Sequence, residues 1–266
     1  MSEIHLQETS HSSPRIKNAP SKTEVSVPFS YSASDDGIDE NLLILLHGLG
    51  DTHLPFSNLG RQLKLPQTAV LALRAPEQVP FLYEDAFQWY TSFDGLGGLI
   101  ERPNPTPALN LLGKVVKHLI DGCGWPSHKI HLFGFAQGGS VAAEFGIEWW
   151  KLFRASRTPA DLPSSATKGT LGSIISISGP LLSYPTLSVK NPTPILIVHS
   201  LLPSETALPA GAVADLRKAY ANVAEKTSKE PGIFFLECLH RELDGSPSWN
   251  SGALILDGGK PMDYTR

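Results

Sequence analysis

Hydrophobic residues along this chain fall in short clusters separated by longer amphipathic stretches. Residues 42–46 form an unbroken aliphatic run, and 69–73, 130–133, 172–176 and 195–198 are further short apolar-rich segments. Runs of this length, closed by glycine or proline, are expected of parallel strands buried on both faces. Val25, Val27, Phe29 and Tyr31 instead alternate with polar neighbours, which predicts a half-buried edge strand. Between the clusters the period changes. Leu109, Leu112, Val116, Leu119 and Ile120 lie at helical spacing within 106–121, with Pro107 in the first turn, where a missing N–H is tolerated. Further helices are predicted over 137–153 and about 210–226, and a last strand over 233–236. Alternating strand and helix argues for an α/β fold, a mostly parallel central sheet with helices on both faces.

The two ends and one internal stretch break the pattern. Residues 1–22 are rich in Ser, His and Pro without periodicity and are expected to form a disordered lead-in. Residues 154–169, with Pro159 and Pro163, read as an inserted surface loop. Residues 244–266 hold four glycines and two prolines and no helical period, so an irregular C-terminal segment is expected after a domain spanning 23–243. No internal repeat is present.

Composition narrows the function classes. In 266 residues, 41% are hydrophobic, enough for a sizeable core, and only 18% are charged, with a net charge of −4. That balance offers no electrostatic footprint for nucleic acid. Cys123 and Cys238 are the two cysteines; they form no paired motif and suggest no disulfide framework, so reduced thiols and a cytoplasmic setting are expected. There is no secretory-signal pattern in residues 1–22 and no apolar run long enough to span a bilayer. No metal-ligand spacing, phosphate-cradling loop or cofactor motif is found. His128 and His131 flank the start of a strand and do not share a face.

The chemistry concentrates in residues 129–140, Lys-Ile-His-Leu-Phe-Gly-Phe-Ala-Gln-Gly-Gly-Ser. A short strand, a glycine-flanked turn and a helix start make the frame of the G-x-S-x-G nucleophile elbow, whose sharp turn lifts a serine oxygen above the sheet. Here Gly134 and Gly138 are in place, and the apex residue is Ala136. A methyl group cannot attack a carbonyl. If the elbow persists, Ala136 should occupy a backbone conformation unfavourable for a residue with a Cβ. Ser140 lies four residues on, about one helical turn away from the apex.

Two more segments accompany the elbow: His47-Gly48-Leu49-Gly50-Asp51-Thr52 after a buried strand, and Ala86-Phe87-Gln88-Trp89-Tyr90-Thr91-Ser92-Phe93-Asp94, preceded by Leu73-Arg74-Ala75-Pro76. Together they resemble the acyl-protein thioesterase and small carboxylesterase group (phospholipase/carboxylesterase-like) of the α/β-hydrolase superfamily, over roughly residues 40–240. The resemblance implies an α/β-hydrolase fold and a carboxylic ester or thioester hydrolase. It implies that the backbone N–H groups of Leu49 and Gln137 form the oxyanion hole. The family's acid follows the next-to-last strand; with a loop two residues longer, Glu205 takes that position and Leu208-Pro209 matches the Val-Pro that follows it. Ser200, where the family has glycine, departs from the pattern. His240, after the last strand, is where the chain order nucleophile, acid, histidine places the general base. His47 and His199 belong to strand-end motifs and are read as loop supports.

The expected site is therefore Ala136 at the nucleophile position, Glu205, His240, and the Leu49 and Gln137 amides, with no cofactor and no metal. Removing only the serine of such a machine costs about 10⁶ in turnover. The chain thus reads as a catalytically impaired or inactive homologue, with an acyl ester or a lipidated protein as the ligand the resemblance implies. The alternatives are an active acyl (thio)esterase whose serine has been substituted, or a non-catalytic interaction protein.

Overall fold

The computed structural model describes residues 15–80, 85–156, 169–201, 204 and 207–228. Its centre is a seven-stranded sheet. The strands are β1 (Phe29–Ser32), β2 (Asn41–Leu46), β3 (Thr68–Leu73), β6 (Ile130–Phe135), β7 (Ser173–Ile177), β8 (Ile195–Ser200) and β9 (Val223–Ser228), and they lie in the order β1-β3-β2-β6-β7-β8-β9. β1 runs antiparallel to β3 at one edge; every other pairing is parallel. A two-residue hairpin, β4 (Glu77–Gln78) with β5 (Phe87–Gln88), stands outside this sheet. The fold class expected from the hydrophobic pattern is the one observed.

Four helices cover the faces: α1 (His53–Gln62), α2 (Thr106–Asp121), α3 (Gln137–Ala155) and α4 (Ala212–Ala219). Because side chains alternate across a strand, β2 feeds two cores. Leu42, Ile44 and Leu46 pack with Leu112, Val116, Val141, Phe145 and Leu216 from α2, α3 and α4. Leu43 and Leu45 pack with Phe56 and Leu63 in and just beyond α1. Burial on both faces explains why β2 and β3 read as uninterrupted aliphatic runs rather than alternating ones.

Three expectations are corrected. Residues 15–22 of the expected lead-in are tied to the domain: the Lys17 amide donates to Asp39 Oδ2 at 2.8 Å and the Ser21 amide to His118 Nε2 at 3.0 Å. The helix expected over 210–226 ends at Ala219. Tyr220 is extended, with φ −111° and ψ 142°, and residues 223–228 form β9, hydrogen-bonded in parallel register to β8. The edge strand begins at Phe29 rather than Val25, whose side chain is buried in the core instead. The strand expected over 233–236 and the segment 244–266 lie outside the described residues, as do residues 157–168 of the expected surface loop.

Candidate active site

In the chain order β2–α1–β3, the first crossover runs to one side of β2; β6 and its successors lie on the other side. The junction between β2 and β6 is thus a topological switch point, where open α/β sheets bind ligands beyond the carboxyl ends of their strands. Residues 47–51 leave β2 there, and Ala136 leaves β6. The register pairs Leu46 with Gly134, which brings the two segments side by side.

Ala136 links the last residue of β6 to the first residue of α3 with φ 49° and ψ −111°. That is positive-φ backbone, costly for a residue with a Cβ, on the order of 1–3 kcal/mol. The surroundings hold it there. Its amide donates to the Ile177 carbonyl at 2.8 Å, and its own carbonyl accepts from Ser140 at 3.0 Å. The turn closes only because its flanks carry no side chains. A Cβ on Gly134 would strike the carbonyl group of Gly138, and one on Gly138 would strike the carbonyl of Leu46. The strained apex expected of an elbow is present, and Ala136 is partly exposed at its tip.

Gln137 opens α3, so its N–H has no carbonyl one turn back to bond, and the positive end of the helix dipole lies there. Its side chain is buried and points elsewhere. Oε1 accepts from the Trp89 amide at 2.9 Å, while Nε2 donates to the Tyr90 carbonyl at 3.0 Å and to Ser92 Oγ at 2.7 Å. Leu49 is 39% exposed, in the turn before Gly50 (φ 82°). Gly50 and Asp51 are pinned to Phe87: the Gly50 amide donates to the Phe87 carbonyl at 2.9 Å, and the Phe87 amide to the Asp51 carbonyl at 3.3 Å. A Cβ built on Gly48 would lie 3.8 Å from the Ala136 Cβ, so this turn abuts the apex.

His47 supports the turn from below. It is fully buried. Nε2 accepts from the Ala75 amide at 2.9 Å, which leaves the proton on Nδ1 to bond the Gly48 carbonyl at 2.7 Å. Burial pushes its pKa below the usual imidazole value, which favours this neutral form. The Trp89 indole N–H donates to the His47 carbonyl at 2.8 Å and closes the frame. His199 plays a comparable part at the end of β8: one ring nitrogen bonds the Ser200 carbonyl at 2.9 Å, and the other lies 3.2 Å from Glu225 Oε1.

Glu205 and His240 lie outside the described residues. Ser200 and Ala207 form a parallel bridge that closes the loop in which residue 205 falls, at the end of β8. His240 is twelve residues past the end of β9. Of the serines near the apex, Ser140 is buried in α3 against the Tyr90 phenol. Ser178, one residue past β7, has φ 56° and a buried hydroxyl with no hydrogen-bond partner among the described residues. Among the described residues no cluster of three His, Cys, Asp or Glu is placed to hold a metal, and no helix is long and apolar enough to cross a membrane. Two surface grooves, of about 490 and 370 Å³, lie away from the apex: one between β1 and α1, the other against Trp149 and Phe153.

Sequence reasoning assigned no role to Gln88–Ser92 beyond their place in a motif. Trp89, Tyr90 and Ser92 clamp the elbow through Gln137, and the aromatic cluster at 87–90 is the signal of it in the sequence.

A parallel sheet with a strained strand-to-helix apex at its switch point defines an α/β-hydrolase scaffold. Residues 33–155 match the phospholipase/carboxylesterase family. It is 42% identical over 173 residues to an uncharacterized hydrolase of Mycosarcoma maydis, across 64% of this chain and 60% of that protein. It is 31% identical over 146 residues to an uncharacterized hydrolase of Schizosaccharomyces pombe, across 53% of this chain and 54% of that protein. The chain thus spans between half and two thirds of the length of these relatives. Among solved structures, acyl-protein thioesterase 2 of Zea mays shares the fold, with a TM-score of 0.59 at 18% identity, over 82% of this chain and 99% of that one.

Proposed function

We propose that this protein presents an acyl ester or thioester site whose attacking oxygen has been lost, so that it holds such ligands with little or no turnover. The observation that carries the reading is the backbone of Ala136. An alanine held at φ 49°, ψ −111° between β6 and α3 stands where an elbow presents its nucleophile. The start of α3 directly after the apex and the 48–50 turn abutting it support an anion-stabilising pair at Gln137 and Leu49. Glu205 as acid and His240 as base belong to the same proposal, drawn from the resemblance and chain order. The ligand class, an acyl ester or a lipidated protein, comes from the family. A cytoplasmic setting accords with the free, buried thiol of Cys123.

The test is steady-state hydrolysis of p-nitrophenyl butyrate by the native chain and by Ala136→Ser. A gain of about 10³-fold or more in kcat on restoring serine supports an otherwise intact site. Equal rates for the two proteins contradict the assignment of residue 136.

A further inference from the structure

Beside the 47–51 turn stands a cation that the proposed chemistry leaves unused. Arg74 follows β3 directly, next to Ala75, whose amide anchors His47. Its guanidinium carbon lies 4.0 Å over the ring of Phe87, the residue whose backbone pins Gly50 and Asp51. The Arg74 amide donates to the Pro28 carbonyl at 3.0 Å, but among the described residues its side chain makes no hydrogen bond and no ion pair, and its Nε is shielded from solvent with no partner. The only carboxylate of the turn, Asp51, receives the Thr52 amide at 2.7 Å. A second nitrogen nearby is in the same condition: His53 Nδ1, at the first residue of α1, is buried and unbonded. Partly buried guanidinium groups are normally paired, because desolvating the charge is costly without a counter-charge. Stacking on Phe87 fixes the plane of the group while leaving its in-plane N–H edge free, the edge that matches an oxyanion two bonds at a time.

We propose that Arg74, with His53 beside it, is an anion-recognition point at the rim of the candidate site and takes a carboxylate or phosphate group carried by the ligand. The ligand is then an anionic ester rather than a neutral one: an acyl group at the apex and an oxyanion against Arg74. The chemistry of His53 agrees. Burial and then the nearby Arg74 charge hold its pKa below the usual imidazole value. Among the described residues, Asp51 and His47 also titrate at this turn, and neither forms an ion pair with Arg74. The inference rests on the switch-point loops being a ligand site, as proposed above, but its readout is separate from residue 136.

The experiment follows the His53 ring by NMR in the full chain labelled on histidine, while monomethyl succinate, dimethyl succinate or inorganic phosphate is added. Saturable shifts with monomethyl succinate, a rise of about one unit in the His53 pKa and no response to the neutral diester support the proposal. Phosphate acting in place of the carboxylate supports it equally and identifies the other source of the anion. In Arg74→Gln the affinity should fall at least about tenfold, with Arg74→Lys retaining part of it. Equal binding to Arg74→Gln overturns it, as does an equal response to the diester or no response to either anion. If Arg74→Gln does not fold, the comparison of charged and neutral esters on the native chain and on Arg74→Lys decides. An inert Ala136→Ser beside saturable anion binding would remove the reading of residue 136 and leave this one standing.

Discussion

The Gln137 side chain is locked to Trp89, accepting the Trp89 amide proton at 2.9 Å while its own NH₂ reaches the Tyr90 carbonyl and Ser92. The residue that follows the apex is thus fixed through its side chain by the neighbouring 87–92 segment. Gln137→Ala leaves the Trp89 amide and the Tyr90 carbonyl buried without partners. Each orphaned group costs about 1–3 kcal/mol, so the variant should lose about 3 kcal/mol in urea denaturation. Loss under 1 kcal/mol would mean that the clamp is not formed.

Ala136→Gly should stabilise the protein by about 1 kcal/mol. Glycine removes the conformational penalty at φ 49°, worth about 1–3 kcal/mol, and gives back about 0.5–1 kcal/mol in unfolded-chain entropy. The midpoint of chemical denaturation reads the difference. A lower midpoint would contradict the strained apex.

How much of this was legible in the sequence depended on where burial is two-sided. The strands β2 and β3 were readable because both faces are packed, and α2 because Leu112, Val116 and Leu119 make a continuous stripe. α1 was missed. Its buried face is Phe56, Ser57 and Gly60, and a Cβ on Gly60 would strike Val70, so the close approach to β3 is made by a residue with no hydropathy signal. β9 is not visible because Val-Ala-Glu-Lys-Thr-Ser, at the edge of the described sheet, carries no apolar run. At the site, the glycines and Ala136 were visible in the motif. The Gln137 clamp and the Arg74 side chain, which has no polar partner among the described residues, are not, because each is defined by contacts far along the chain.

Acidification should weaken the fold through His131. Burial, then the nearby charges of Lys129 and His128, lower its pKa to about 4, and Nδ1 is held by Ser173 Oγ at 2.9 Å. The folded ring is neutral while the unfolded ring, with the ordinary imidazole pKa of about 6.5, takes up a proton. This contribution is therefore complete above pH 6.5 and is lost as pH falls from there to about 4, amounting to about 3 kcal/mol. The buried His47 and the partly buried His53, both lowered, act in the same direction. Stability against pH in His131→Phe should show a shallower slope across that window; an unchanged slope would contradict the assignment.

Glu144 on α3 holds the segment after β7: Oε1 accepts from the Leu182 and Ser183 amides, both at 2.7 Å, and Oε2 from Ser183 Oγ at 2.7 Å. Glu144→Ala should cost about 3 kcal/mol, because bonds to a buried carboxylate are among the strong ones. Hydrogen exchange at Leu182 and Ser183 should accelerate. Unchanged protection there would show that other contacts hold the segment.

The central claim, that residue 136 is where the nucleophile belongs and that the native chain has no substitute, is tested most directly by intact-mass analysis after treatment with a fluorophosphonate. The native chain is predicted to stay unlabelled, and Ala136→Ser to gain one adduct that maps to residue 136. An adduct on the native chain, at Ser178 or any other serine, would contradict the account, and so would an Ala136→Ser protein that takes up no probe.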